Sequence, residues 1–270
     1  MEQNQNQYAL ITGATSGIGY ELAKLFAQNG YNLVIVARSD GDLQTASREF
    51  LKHGVNVVPI AKDLFNPEAA AELYEEVKAK GIEVNVLVND AGQGQYGLFV
   101  ESDIDRQLEI IQLNVSSLTA LTYFFLKDMV ARNEGKILQL ASIASNMPGP
   151  LQAVYHATKA YVLSLTEALI NELKDTAVTM TALQPGVTDT DFFNKAGAQN
   201  SKLVEDEDKM SDPAKVAKDG YDALMRGESK IISGAKNKIM VGMSHLVPDS
   251  MNAQQIRKMS EEQDEEDRKD

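Results

Sequence analysis

Cysteine is absent from the 270-residue chain, which excludes disulfides and thiolate chemistry and is compatible with a reducing cytosol. Histidine is scarce: His53, His156 and His245 are scattered without metal-ligand spacing, so no metal site is expected. Basic charge is outnumbered, with 26 Lys and Arg against 39 Asp and Glu. The resulting net charge of −13 argues against a nucleic-acid partner. No apolar run reaches the length of a membrane span, so stable membrane insertion is not expected. The opening residues "MEQNQNQ" lack the basic segment and apolar core of a secretory signal. These absences together give a cytoplasmic expectation.

What is present is a regular alternation. Apolar strand-like runs occur at 8–13, 32–38, 55–64, 84–92, 135–142 and 178–186, with a seventh at 230–234. Segments of helical period separate them, including long ones at 103–132 and 152–173. A further helix is expected from Asn66-Pro67, with Pro67 at its first position. Continuous apolar strands joined by helices predict an α/β fold: a single Rossmann-type, doubly wound parallel sheet of about seven strands with helices on both faces. One domain is expected over 1–256. Within it, the polar stretch 187–229 reads as an insertion beside the sheet that shapes a substrate pocket. The acidic end, 257–270, reads as a disordered tail. In 236–251, Ile239, Met240, Met243, Leu246 and Val247 form an apolar face whose first-ranked role is packing on the body.

"TGATSGIG" (12–19) joins the first strand to the first helix. Glycine-rich chain leading into a helix N-terminus makes an anion site, because free N–H groups and the positive dipole end face the ligand. Gly13, Thr15, Ser16, Gly17, Ile18 and Gly19 are therefore candidate dinucleotide-binding residues. The second strand ends in Ala37-Arg38-Ser39, where an acid would bind the ribose 2′-hydroxyl of NAD. Arg38 suits a 2′-phosphate instead, with Ser39 beside it, so NADP(H) is expected over NAD(H). "YHATK" (155–159) puts Tyr155 and Lys159 on one helix face, one turn apart. By itself the pair fits either an ordinary amphipathic helix or a phenol acting on protons beside an ammonium.

Taken together, "TGATSGIG", "KDL" (62–64), "NDAG" (89–92), Asn114, Ser142, "YHATK" and "PGVTDT" (185–190) resemble the short-chain dehydrogenase/reductase family, in the family's order over roughly residues 8–190. The resemblance implies an NAD(P)-dependent enzyme acting on CH–OH or C=O groups. It implies that Tyr155 is the general acid/base, that Lys159 favours the phenolate and holds the nicotinamide ribose, and that Ser142 donates to the substrate oxygen. It makes Asn114 the holder of a proton-relay water. It also brings Asp63 and Leu64 to the adenine, Asn89, Ala91 and Gly92 to the adenosine ribose, and Pro185, Gly186 and Thr188 to the nicotinamide and pyrophosphate. Asp90 stands where the family motif has a second Asn, which puts that residue's contacts in doubt. Phe192 and Phe193 are candidate pocket walls, Ser145 is a lesser rival of Ser142, and His156 reads as a helix-surface residue turned from the site. The expected partners are a small-molecule carbonyl or alcohol and further copies of the chain, as a homodimer or homotetramer paired through 103–132 and 152–173. The rival function is a dinucleotide-sensing binding protein without turnover, against which the Ser142, Tyr155 and Lys159 set speaks.

Overall fold

The computed structural model describes residues 6–204 and 210–261. Its centre is a sheet of seven parallel strands: β1 (Tyr8–Thr12), β2 (Asn32–Ala37), β3 (Val57–Ala61), β4 (Val84–Asn89), β5 (Lys136–Leu140), β6 (Thr179–Gln184) and β7 (Lys230–Ile232). They stand in the order β3-β2-β1-β4-β5-β6-β7. All seven expected strands are there. β3 contains Pro59, which a central strand would not tolerate, and β3 is an edge. The chain winds outward from β1 to β3, then restarts on the other side of β1 with β4. That reversal opens a crevice beyond the C-terminal ends of β1 and β4.

Helices cover both faces, as a buried parallel sheet requires. On one face α1 (Gly17–Gln28) and α2 (Asp40–Leu51) pack with α8 (Pro213–Arg226) through Leu22, Phe26, Leu43, Phe50, Val216 and Leu224. On the other, α3 (Ala69–Ala79) and α5 (Leu118–Arg132) bury Leu73, Val77, Leu121 and Phe125 against the strands. α6 (Ala153–Glu172) lies beside α5 and buries Val162 and Leu163. Among the described residues, no helix is long and apolar enough to cross a membrane.

Five expectations are corrected. The helix placed over 103–132 is divided into α4 (Ile104–Ile111), a π-helical turn at Gln112–Ser117, and α5. α3 begins at Ala69 rather than at Pro67, because Asn66 Oδ1 accepts from the Glu68 N–H and forms a turn first. The stretch 187–229 is not wholly an insertion: its last part is α8, a core helix whose Tyr221 ring meets Phe26 edge-on at 5.0 Å. The tail boundary at 257 falls inside α10 (Asp249–Ser260), anchored where Tyr96 Oη and Ser201 Oγ donate to the Ser260 carbonyl at 2.6 and 3.1 Å. The rest of the expected tail, 262–270, lies outside the described residues. Finally, the apolar face of 236–251 does not pack as a whole. In α9 (Ala235–Ser244), Val241 is buried, whereas Ile239, Met243 and the following Leu246 are exposed.

Candidate active site

A cavity of about 1290 Å³ occupies the crevice. Its near wall is the turn after β1. Gly13 adopts φ +73°, a left-handed conformation that suits glycine. A Cβ there would stand 2.8 Å from Asp90 Oδ2, so the turn and the chain after β4 approach more closely than any other residue allows. Thr15, Ser16, Gly17 and Ile18 continue this wall into the N-terminus of α1. Ser16, at the N-cap, makes no side-chain cap bond, so the first N–H groups of α1 remain for other acceptors.

At one end of the cavity stand Arg38, Ser39, Asp63 and Leu64. The Arg38 and Arg106 guanidinium groups lie over the Phe65 ring, at 5.1 and 5.0 Å from its centroid. Ser39 also caps α2, its hydroxyl accepting from the Asp42 N–H at 3.2 Å. Asp63 closes the following turn by accepting from the Phe65 N–H. Lys62 lines the same end, but its ammonium is paired with Glu72 at 3.1 Å and Glu76 at 3.6 Å.

At the other end stand Ser142, Tyr155 and Lys159, with Pro185, Gly186 and Thr188 after β6 and Ala91 and Gly92 after β4. Ser142 leaves β5 into a short 3₁₀ turn (Ile143–Asn146). Its Oγ accepts from the Ala144 N–H at 3.1 Å and donates to the Pro185 carbonyl at a long 3.4 Å, so its proton is weakly held. Ser145 is committed elsewhere: its Oγ donates to the Lys159 carbonyl at 2.8 Å. Burial pushes the Tyr155 phenol up to about 12, and the influence of the neighbouring Ser142 hydroxyl offsets this in part. The expected Lys159 influence on the phenol is not found in this conformation. The ammonium instead donates to the Leu140 carbonyl at 2.6 Å, with its Nζ 5.8 Å from the Tyr155 ring centroid. Burial lowers Lys159 to about 8, with the Asp90 carboxylate acting in the opposite direction.

Three predicted residues stand behind the wall rather than on it. Asn114 is buried in the π-helical turn. Its Nδ2 donates to the Gln93 carbonyl and Thr158 Oγ1 at 2.8 and 3.0 Å, and its Oδ1 accepts from the Gln93 N–H at 3.0 Å. It braces the chain after β4 against α6. Asn89 is buried in the sheet, its Nδ2 donating to Thr122 Oγ1 and Gln139 Oε1, both at 3.1 Å. Gly19 lies under the glycine turn, packed on Asp90. His156 is corrected as well: it is half-buried on the cavity wall, with Nδ1 2.9 Å from the Met147 carbonyl, and burial lowers its pKa.

Other lining residues carried little sequence signal. Phe65, Met147, Gln152, Asn237, Ile256 and Met259 come from four separate segments that only the fold brings together. Phe192 and Phe193 of α7 (Phe192–Ala196) do line the cavity, and the Phe192 ring lies 5.0 Å from that of Tyr155. A turn lined by glycine, a helix N-terminus without a side-chain cap, and a long cavity ending at a phenol together fit an anionic dinucleotide with a carbonyl substrate at its reactive end.

The same conclusion comes from comparison. A family model described as short chain dehydrogenase matches residues 7–201. The chain belongs to the short-chain dehydrogenase family. The family's members are NAD(P)-dependent oxidoreductases of alcohol and carbonyl groups. The chain is 32% identical over 192 residues to a short chain dehydrogenase of Pseudocercospora fijiensis, covering 70% of this chain and 62% of that one. The short-chain dehydrogenase from Sphingobium yanoikuyae in complex with NADPH superposes with a TM-score of 0.77 at 27% identity, over 90% of this chain and 96% of that one. The short chain dehydrogenase/reductase from Burkholderia phymatum in complex with NAD shares the fold, with a TM-score of 0.80 at 24% identity, over 91% and 95% of the two chains.

Proposed function

We propose that this protein is an NADP(H)-dependent oxidoreductase that interconverts a carbonyl compound and the corresponding secondary alcohol. The observation that carries the reading is the Tyr155 phenol, which lines with Ser142 one end of a cavity whose wall is the Gly13–Gly17 turn. Bound nicotinamide would supply or accept the hydride. Ser142, whose proton is weakly held by Pro185, turns it to the substrate oxygen as charge develops there. Tyr155 delivers its proton to that oxygen in reduction and takes it back in oxidation. Lys159 keeps positive charge beside this exchange and holds the nicotinamide ribose. Arg38, Ser39, Asp63 and Leu64 hold the adenosine end, Ala91, Gly92, Pro185, Gly186 and Thr188 line the cavity beside Tyr155 and Lys159, and Asn114 acts through Gln93 and Thr158 as a positioning residue. Met147, Phe192, Phe193, Met240, Ile256 and Met259 make the substrate end largely apolar.

NADP(H) is favoured over NAD(H) by Arg38 and by Ala37, which brings no acid to the end of β2. A homodimer or homotetramer is supported by Ile104 and Leu108 of α4, Tyr123 of α5 and Tyr161 of α6, large apolar side chains left exposed on neighbouring helices. The test is a panel of ketones, aldehydes and secondary alcohols with NADPH and NADH, run on wild type and Tyr155→Phe. Turnover by wild type that Tyr155→Phe loses is expected. Equal turnover by both proteins would sink the assignment.

A further inference from the structure

The chain places one of its own carboxylates where an anionic ligand would dock. Asp90 follows β4 and reaches under the glycine turn, its carboxylate set against the Gly19 N–H and its Oδ2 2.8 Å from where a Gly13 Cβ would stand. Gly19 lies in the first turn of α1, so this N–H belongs to the set that the helix terminus leaves free. Asp90 Oδ1 is buried and has no hydrogen-bond partner. The backbone around it is fixed, since the N–H groups of Asp90 and Ala91 both donate to Thr12 Oγ1 at 3.1 Å.

Other groups decide its charge. From α1 comes the Gly19 N–H, which favours the carboxylate. From α6 comes Lys159, the cation that acts on it. β1 presents the uncharged Thr12 hydroxyl and the Gly13 turn. Against these, burial raises the group to about 7. A dinucleotide would bring a pyrophosphate to the same helix end, and two anions on one terminus repel.

We propose that Asp90 is a proton-linked residue of the dinucleotide site: its carboxylate takes up a proton as the pyrophosphate docks, which ties cofactor affinity to pH. This rests on the dinucleotide-binding reading above. The proton comes from solvent and binds on Oδ1, the oxygen that makes no hydrogen bond. Above the free-enzyme midpoint, affinity falls by up to about tenfold per pH unit for one proton taken up. An asparagine cannot ionise and keeps an oxygen for the Gly19 N–H, so it removes the dependence while preserving the contact.

The experiment is calorimetric titration of NADPH, and of NADH as a ligand without the titratable 2′-phosphate, into wild type, Asp90→Asn and Lys159→Met. It is run from acid to mildly alkaline pH in buffers of differing ionisation enthalpy. Proton uptake in wild type and Lys159→Met that disappears in Asp90→Asn is expected. Uptake unchanged in Asp90→Asn, or none in wild type, overturns the proposal while dinucleotide binding stands. No binding of either dinucleotide to wild type overturns the functional reading with it. A measurement without substitution guards against a misfolded variant: the Asp90 carboxyl resonance in labelled wild type must titrate at higher pH with NADH bound. A midpoint that stays or falls refutes the proposal.

Discussion

The rings of Phe192 and Tyr155 lie 5.0 Å apart at 50°, so α7 rests on the phenol as part of what buries it. Burial is the first cause of the raised phenol pKa, and removing the ring from above it admits water. Phe192→Ala is expected to bring the Tyr155 midpoint down from about 12 toward its ordinary value of 10.0. Alkaline titration of tyrosinate absorbance, taken as the difference from Tyr155→Phe, measures it. An unmoved midpoint would show that α7 does not shield the phenol.

Tyr155→Phe removes one oxygen and leaves the ring packing in place. Turnover is expected to fall by about 10² to 10⁴, the usual reach of a positioned acid/base. Dinucleotide binding, read by fluorescence or calorimetry, should persist. Ser142→Ala is expected to slow turnover by about 10² to 10³. It should also raise the Tyr155 midpoint further, since the neighbouring Ser142 hydroxyl is what lowers it.

Arg38 is exposed at the end of β2, its guanidinium over the Phe65 ring. Arg38→Ala is expected to weaken NADPH binding by on the order of ten- to a hundredfold, the loss of a charge-assisted contact. NADH binding should change little. Parallel dissociation constants for the two cofactors decide it, and equal losses for both would remove Arg38 from cofactor choice.

Asn114→Ala strips three hydrogen bonds from a buried site and leaves the Gln93 carbonyl and N–H without their partner. A loss of about 1–3 kcal/mol in unfolding free energy is expected by denaturant titration. Asn114→Asp keeps the acceptor for the Gln93 N–H but adds a buried charge, so it should not rescue stability at neutral pH.

Asp90 carries a pH signature in stability as well. Its folded value of about 7 lies above its ordinary 3.8, so the folded state holds the proton more tightly. The contribution is fully present below 3.8 and is lost as pH rises toward and through about 7. Asp90→Asn should therefore be more stable than wild type at pH above about 7, with the advantage shrinking as pH falls. Thermal unfolding of both proteins across that range measures the crossing, and an advantage that grows at low pH would reverse the argument.

Much of the fold was legible because strand burial is written locally. "NLVIVA" reads as a fully buried strand wherever it sits, and β2 is one. The π-helical turn was not legible. "QLNVSS" has no breaker, and its geometry comes from Asn114 reaching Gln93 and Thr158, neighbours 21 and 44 residues away. α8 was misread because its polar outer face dominates its composition, while its buried side sets only Val216 and Leu224 among the small residues Ala217, Gly220 and Ala223.

The sequence by itself determined the alternation of buried strands and helices, the glycine turn, the Tyr155–Lys159 spacing and the missing acid at residue 37, since each depends on neighbours along the chain. The tertiary structure decided that Asn89 and Asn114 brace the site from behind, that Lys159 turns to Leu140, and that Asp90 lies against Gly19. Those outcomes depend on burial and on contacts between distant segments, which set the cost of a charge and the direction of a hydrogen bond and leave no mark on local pattern.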